Sequence, residues 1–293
     1  MSVDYLENDF SDAQRASSGR VKTLSTPLSQ QVRNAMRLGS AARAHDPAAP
    51  LSRPQQRDVH VWELDLRHPP ACALDLLDAA EQERARRFVF AVDQTRFIAA
   101  HGWTRQILGR YLKRAPQDLQ FALGPYGKPA LTGHSGDATL CFNLSHSLDK
   151  ALLAVSNGVP LGVDIEAIRP NLPDAALASG VLTADEFAEL VQLPLRQQTG
   201  VFFACWARKE ACMKALGLGL ALEPKTLHVG MAVARQRVVI KDLLSPADPQ
   251  TASADFIDLS ALQSPPGHAA ALAVLGGFGK VLYRQALASG RTH

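Results

Sequence analysis

The sequence predicts an α+β protein built as two lobes of similar plan. Its 293 residues amount to about two domains at roughly 150 residues each, enough to bury a core without disulfides. A strand, paired helices and further strands are followed by strands, helices and strands again. Between the two series stands Asn157-Gly158-Val159-Pro160, where an Asn-Gly pair followed by proline marks a sharp connection. The expected organisation is therefore a flexible extension over 1–57, a first lobe over 58–158, a second over 159–285 and a tail over 286–293. No close internal sequence repeat accompanies it.

Residues 1–57 are rich in Ser, Ala, Arg, Gln and Pro, and Asp46 to Pro50 offers nothing periodic to bury. Leu28 to Leu38 could form one short helix there. The compact part begins at Val59, where alternation sets Val59, Val61 and Glu63 on one face and His60, Trp62 and Leu64 on the other. From Leu76 to Val92 an acidic start and basic continuation match a helix dipole. A second helix is expected from Gln94 to Leu112, with Phe97, Ile98, Trp103, Ile107, Leu108 and Leu112 at helical spacing. Two glycines and two prolines in Gly124-Pro125-Tyr126-Gly127-Lys128-Pro129 predict a loop that holds one lysine in a restricted backbone.

Beyond that loop, strands are expected at Leu140 to Ser147, Ala151 to Val155 and Leu161 to Ile165, then helices at Thr183 to Gln192 and Val201 to Leu216. Strand-like runs return at Thr226 to Val229, Arg237 to Ile240, Phe256 to Leu259 and Ala269 to Leu275.

Composition narrows the functional classes. With 46% apolar and 20% charged residues, and 31 Lys+Arg against 28 Asp+Glu, the chain reads as globular, and its charge balance names no nucleic-acid partner. Cys72, Cys141, Cys205 and Cys212 form no close C-x-x-C pair. That pattern predicts reduced thiols in a cytoplasmic protein and no structural zinc. Asp4, Glu7, Asp9 and Asp12 interrupt any apolar targeting segment, which disfavours secretion. Apolar runs such as Ala269 to Leu275 fall far short of the roughly 20 residues that span a bilayer, so no membrane partner is expected.

The chemistry concentrates in carboxylates. Asp164 and Glu166 lie two apart in Gly162-Val163-Asp164-Ile165-Glu166, so a strand sends both to one face while Val163 and Ile165 anchor the other. Two carboxylates held together call for a cation or a proton between them, and hard oxygen ligands suit Mg²⁺. The plainer alternative is two ordinary acids at an exposed strand end. Glu210 and Lys214 lie four apart on a helix with Trp206 a turn earlier, facing one cleft or forming a routine surface pair. Three carboxylates from two elements would give a Mg²⁺ site completed by water and phosphate oxygens, and hence a polyphosphate partner. Arg84, Arg87, Arg96 and Lys128, with His146, could bind such a partner through charge-assisted hydrogen bonds, or be solvated charges.

Two further motifs carry both a structural and a chemical reading. Ser145-His146-Ser147 invites a hydrolase triad, but strand neighbours point to opposite faces and no Gly-x-Ser-x-Gly elbow surrounds either serine. His146 is better placed to bind phosphate or to act as a structural donor. Thr183-Ala184-Asp185-Glu186 has the spacing of a capping box. Glu186 is read as a cap first and as a contact to a water near the metal second.

Taken in order, these segments resemble the 4'-phosphopantetheinyl transferases of the surfactin-synthetase-activating type. The likeness rests on Gly127-Lys128-Pro129 with Phe142-Asn143-Leu144-Ser145-His146-Ser147, on Gly162 to Glu166, and on Trp206-Ala207-Arg208-Lys209-Glu210-Ala211-Cys212-Met213-Lys214. It takes in Arg84 to Arg96 and covers roughly residues 59–275. The resemblance implies a monomer of two pseudo-twofold-related lobes with coenzyme A and Mg²⁺ in the cleft between them. It implies transfer of the 4'-phosphopantetheine arm to a serine of an acyl, aryl or peptidyl carrier protein, with release of 3',5'-adenosine bisphosphate. The clients so implied belong to fatty-acid, polyketide or nonribosomal-peptide synthesis.

By the same likeness Asp164, Glu166 and Glu210 match the metal carboxylates, and Glu210 is the favoured base. Lys214 matches the lysine near the α-phosphate. Arg84, Lys128 and His146 match coenzyme-A-binding positions, with Arg87, Arg96 and Ser145 as further contacts, and Glu186 matches an acidic position given a metal-water or base role. Glu81 stands where the family often has a basic residue. The helix with Phe187 and the loop after Leu193 form a candidate carrier contact. Two competing expectations are another Mg²⁺-dependent phosphoryl or nucleotide transferase, for which no P-loop motif is present, and a non-catalytic coenzyme-A- or carrier-binding protein.

Overall fold

In the computed structural model, the described residues are 49–133, 139–170, 175–232, 234–240 and 254–286, and all of them fall in one unit. The short helix expected within Leu28 to Leu38 lies outside them, as do 241–253 and 287–293.

Alternation along β1 (Val59–Asp65) decides the layering. Trp62 and Leu64 enter one core with residues of a long helix, while Val59 and Val61 enter a second core shared with strands of the other lobe. Helix α1 (Ala79–Arg86) opens with a capping box in which Asp78 and Glu81 satisfy each other's backbone amides. The single helix expected over Leu76 to Val92 is interrupted after Arg86. Phe88 leaves the helical path to stack on Phe97, 5.2 Å between ring centroids, and Phe90 caps the next helix in extended backbone. That helix, α2 (Ala91–Leu112), buries Phe97, Trp103, Ile107 and Leu108.

The proline- and glycine-rich loop proves to be the turn of a hairpin between β2 (Gln120–Leu123) and β3 (Pro129–Thr132), with Gly127 at φ +83°. Next come β4 (Leu140–Ser147) and β5 (Lys150–Asn157), which pair antiparallel. The Asn157-Gly158 turn then passes the chain into a different sheet rather than closing a hairpin, and β6 (Leu161–Ala167) pairs with β9 (His268–Leu275). The second sheet has the order β6, β9, β8 (Phe256–Ala261), β7 (Gln236–Val239). Against it pack α3 (Ala175–Val181), α4 (Ala184–Gln192) and α5 (Leu195–Leu216).

Four expectations shift. Helix α5 begins at Leu195 instead of Val201, because Pro194 precedes its first turn and Gln198 buries its amide by donating to the Leu193 carbonyl at 2.9 Å. No strand forms over Thr226 to Val229. There the Lys209 and Arg208 side chains donate to the Leu227 and Val229 carbonyls, which a strand would have offered to a neighbour. Finally, β10 (Val281–Gln285) pairs parallel with β1, giving a first sheet of order β10, β1, β5, β4. The lobe expected over 159–285 thus ends its own sheet at β9. Residues 49–57, expected within a flexible extension, are tied down: Leu51 is buried and donates its amide to the Arg110 carbonyl at 3.2 Å.

The result is helices, sheet, sheet, helices, two similar sheet-and-helix lobes meeting across Val59, Val61, Leu152 and Ala154 on one side and Leu161, Val163 and Ile165 on the other.

Candidate functional site

Strand β6 and helix α5 lie in direct backbone contact at Gly162. A Cβ there would fall inside the van der Waals envelope of the Ala211 carbonyl oxygen and the Ala215 amide, and 2.8 Å from the Lys214 carbonyl carbon. The absent side chain lets the helix descend onto the strand. Period-two alternation then turns Asp164 and Glu166 toward the same helix, and the i, i+4 spacing of Trp206, Glu210 and Lys214 lines them up opposite.

The side chains meet there. The Lys214 ammonium lies 2.6 Å from Asp164 Oδ1 and 4.0 Å from Glu210 Oε2. Trp206 Nε1 donates to Glu166 Oε1 at 2.9 Å. Ser145 Oγ, from β4, donates to Asp164 Oδ1 at 2.7 Å and accepts from Lys214 at 3.1 Å. Asp164 is only 2% exposed, and its Oδ2 is buried with no hydrogen-bond partner. Burial, reinforced by the charges of Asp164 and Glu210, pushes the Glu166 carboxyl up to about 8 against the pull of Lys214 and Trp206. Burial opposes the charge on Lys214, but Asp164 and Glu210 outweigh it and hold the ammonium above the ordinary lysine range.

Comparison with known proteins gives this cluster its context. A family profile described as "4'-phosphopantetheinyl transferase superfamily" matches residues 160–257, and one described as "4'-phosphopantetheinyl transferase, N-terminal" matches residues 65–158. The 4'-phosphopantetheinyl transferase HetI of Nostoc sp. is 38% identical over 167 residues, 56% of this chain and 70% of the relative. The chain belongs to the 4'-phosphopantetheinyl transferase superfamily. Its general reaction is accordingly the transfer of a 4'-phosphopantetheine arm from coenzyme A to a carrier protein. AcpT of Salmonella typhimurium is 40% identical over 113 residues, 39% of this chain and 56% of the relative. Sfp of Bacillus subtilis is 28% identical over 149 residues, 51% and 64% respectively.

Membership in this superfamily implies Mg²⁺-dependent use of coenzyme A, so the residues present can be tested against a cation. Among the described residues no three His, Cys, Asp or Glu side chains form a ready-made cage. The donor set nonetheless fits a hard divalent ion. It offers oxygens alone, three carboxylates against one ammonium, and the orphaned Asp164 Oδ2 is a buried acceptor that such an ion would satisfy.

The other residues matched to the transferase pattern are distributed as follows. Strand alternation sends Ser145 to Asp164 and puts half-buried His146 on the opposite face with Phe142 and Leu144. Arg84 lies over the Phe97 ring at 5.3 Å, and Arg87 is exposed at the end of α1. Arg96 forms ion pairs with Asp149 at 2.8 Å and Asp93 at 3.2 Å. Glu81, the departure from the usual basic residue, accepts from the buried Arg105 at 2.6 Å and pairs with His101 at 2.8 Å. Its acidity is built into the lobe core.

Glu186 has both oxygens committed. Oε2 accepts from the Thr183 amide at 2.9 Å and from Lys209 Nζ at 2.7 Å, and Oε1 accepts from the Val229 and Gly230 amides at 2.8 and 3.0 Å. Both charged side chains are fully buried. Burial alone would raise the Glu186 carboxyl, yet Lys209 and these amides hold it below the ordinary value. This arrangement supports the cap reading. Sequence reasoning passed over Lys209, although a lysine beside Glu210 on an otherwise apolar helix face was a signal that it needed a buried partner.

Lys128 reaches from the β2–β3 turn to the second lobe, donating to the Leu161 carbonyl at 2.9 Å and the Ala215 carbonyl at 3.3 Å. Burial lowers its pKa to about 8. Because the unfolded lysine titrates near 10.5, the folded chain binds fewer protons between these values, and stability should rise with pH from about 8 to 10.5. Denaturation midpoints across that range check this. Lys128→Met should remove the slope.

Two cavities lie apart from the acids. One, of about 370 Å³, borders His228 and Arg237 in the second lobe, and the other, of about 410 Å³, borders Arg110 and Lys113 at the end of α2.

Proposed function

We propose that the chain acts as a 4'-phosphopantetheinyl transferase of the surfactin-synthetase-activating type, with the carboxylate and lysine cluster between β6 and α5 as its reacting centre. The observation that carries this is the meeting of Asp164, Glu166 and Glu210 around Lys214, held by the Gly162 contact. Two lobes in one chain and the likeness to Sfp support the subtype.

In this reading Asp164, Glu166 and Glu210 would hold Mg²⁺, and a bound ion would supply charge neutralisation at the pyrophosphate of coenzyme A. Lys214 adds a positive charge on the same side, where negative charge builds as the leaving group departs. The carrier serine hydroxyl is a weak nucleophile and must lose its proton as its oxygen bonds to phosphorus. Glu210, 12% exposed at its side chain, is the acceptor, directly or through one water. The new serine–phosphate bond replaces the bond to 3',5'-adenosine bisphosphate, which leaves. Arg84, Arg87, Lys128, Ser145 and His146 serve coenzyme A, with Arg96 as a further contact. Glu186 works as a cap.

The carrier protein is proposed to approach α4 and the following turn, where Val191 and Leu195 are exposed, with the chain acting as a monomer. No helix among the described residues is long and apolar enough to cross a membrane, and four free cysteines support a cytoplasmic setting.

Glu210→Gln tests the roles. Turnover of carrier should fall by about 10²- to 10⁴-fold, the scale of a lost general base, with coenzyme A affinity changed far less. Arg84→Ala and His146→Ala should instead weaken coenzyme A binding, read by calorimetry. Equal and small effects from all three in folded protein would count against this assignment.

A further inference from the structure

Strands β4 and β6 are both edge strands, each closing its own sheet. β6 pairs with β9 along one side only, so alternate residues present their amides on the free side. Each of three such amides is met by a side chain of β4. Asn143 Oδ1 accepts from Val163 at 2.8 Å, Ser145 Oγ from Ile165 at 3.4 Å, and Ser147 Oγ from Ala167 at 3.0 Å. The two series advance together by two residues, a ladder of side chains where a sheet would have backbone carbonyls. Lys128 completes that edge by donating to the Leu161 carbonyl.

The held amides bracket the acids. Asp164 lies between Val163 and Ile165, and Glu166 lies between Ile165 and Ala167. Ser145 touches Asp164 Oδ1, and Ser147 Oγ stands 3.5 Å from Glu166 Oε2, at the long limit of a hydrogen bond. Asn143 is 5% exposed and touches no carboxylate among these contacts. Its effect on the site must pass through the backbone of β6.

We infer that Asn143 and Ser147 are positioning residues of the transfer site: by seating the free edge of β6 they fix where Asp164 and Glu166 stand, and so set how tightly the chain holds a divalent cation. This rests on the metal reading given above. Partners that orient metal ligands typically change metal affinity by 10- to 100-fold when removed.

The test is calorimetric titration of the full chain with Mg²⁺ in the presence of coenzyme A, for wild type, Asn143→Ala, Ser147→Ala and Ser147→Thr, with thermal melting in parallel. Both alanine variants should bind Mg²⁺ about tenfold or more weakly, while Ser147→Thr, which keeps the hydroxyl, should stay near wild type. If one alanine variant does not fold, the other decides: affinity weakened about tenfold or more supports the inference, and wild-type affinity overturns it. Equal affinities in all four proteins overturn the inference alone. No Mg²⁺-dependent signal from wild type overturns the metal reading, and the inference with it.

Discussion

Gly162→Ala is expected to cost this enzyme at least about a hundredfold in turnover, with the loss traceable to geometry. The added methyl would meet the α5 backbone at Ala211 and Ala215, and backbone cannot rotate away as a side-chain tip can. Helix and strand must separate, at a typical overpacking cost of about 1–3 kcal/mol. The functional penalty should be larger than that cost suggests. Asp164 and Glu166 ride on β6, while Glu210 and Lys214 ride on α5, so separation pulls the two halves of the site apart. A displacement on the order of 1 Å can cost about 10²-fold in rate. Thermal melting with steady-state transfer to a carrier protein checks this: a modest fall in melting temperature with a large fall in turnover is the expected pair. Wild-type turnover would mean the contact does not hold the site.

Lys209→Met is expected to destabilise the fold by about 3–5 kcal/mol, the scale of a buried ion pair broken on one side. Lys209 and Glu186 are both fully buried, and Lys209 also donates to the Pro224 carbonyl at 2.9 Å and to that of Leu227. Removing the ammonium leaves the Glu186 carboxylate without its counter-charge and two carbonyls without a donor. The pair ties α4 and the 224–230 segment to α5, one residue from Glu210. Its pH signature has a definite sign. Glu186 titrates below its ordinary value in the folded chain, so its contribution is present above that ordinary value and lost as pH falls through the lowered one. Urea denaturation at neutral and acid pH measures both effects, and Glu186→Gln should flatten the acid limb. A cost below about 1 kcal/mol for Lys209→Met would contradict this role.

What was legible in the sequence was local or periodic. The alternation of β1 read out both cores it enters, and Thr183 with Glu186 announced a cap at their spacing. Strand and helix periods put Asp164 with Glu166, and Glu210 with Lys214, on common faces, and only the family resemblance implied that the two pairs meet. What was not legible depended on distant partners. β10 returns to β1 from the far end of the chain, and nothing local in Val281–Gln285 says which sheet it joins. Thr226 to Val229 looked strand-like until Glu186, Arg208 and Lys209 claimed its polar backbone. The ladder on β6 did leave a trace, since Asn143, Ser145 and Ser147 are polar at period two. That trace reads as a wet strand face until the second sheet is seen to lie against it.

The account stands or falls on transfer of the phosphopantetheine arm. The direct measurement is the intact mass of unmodified carrier domains, from fatty-acid, polyketide and peptide systems, after incubation with the chain, coenzyme A and Mg²⁺. The account predicts a gain of one phosphopantetheine unit that disappears when the carrier serine is replaced by alanine. No gain on any carrier, with Mg²⁺-dependent turnover of ATP in its place, would contradict it.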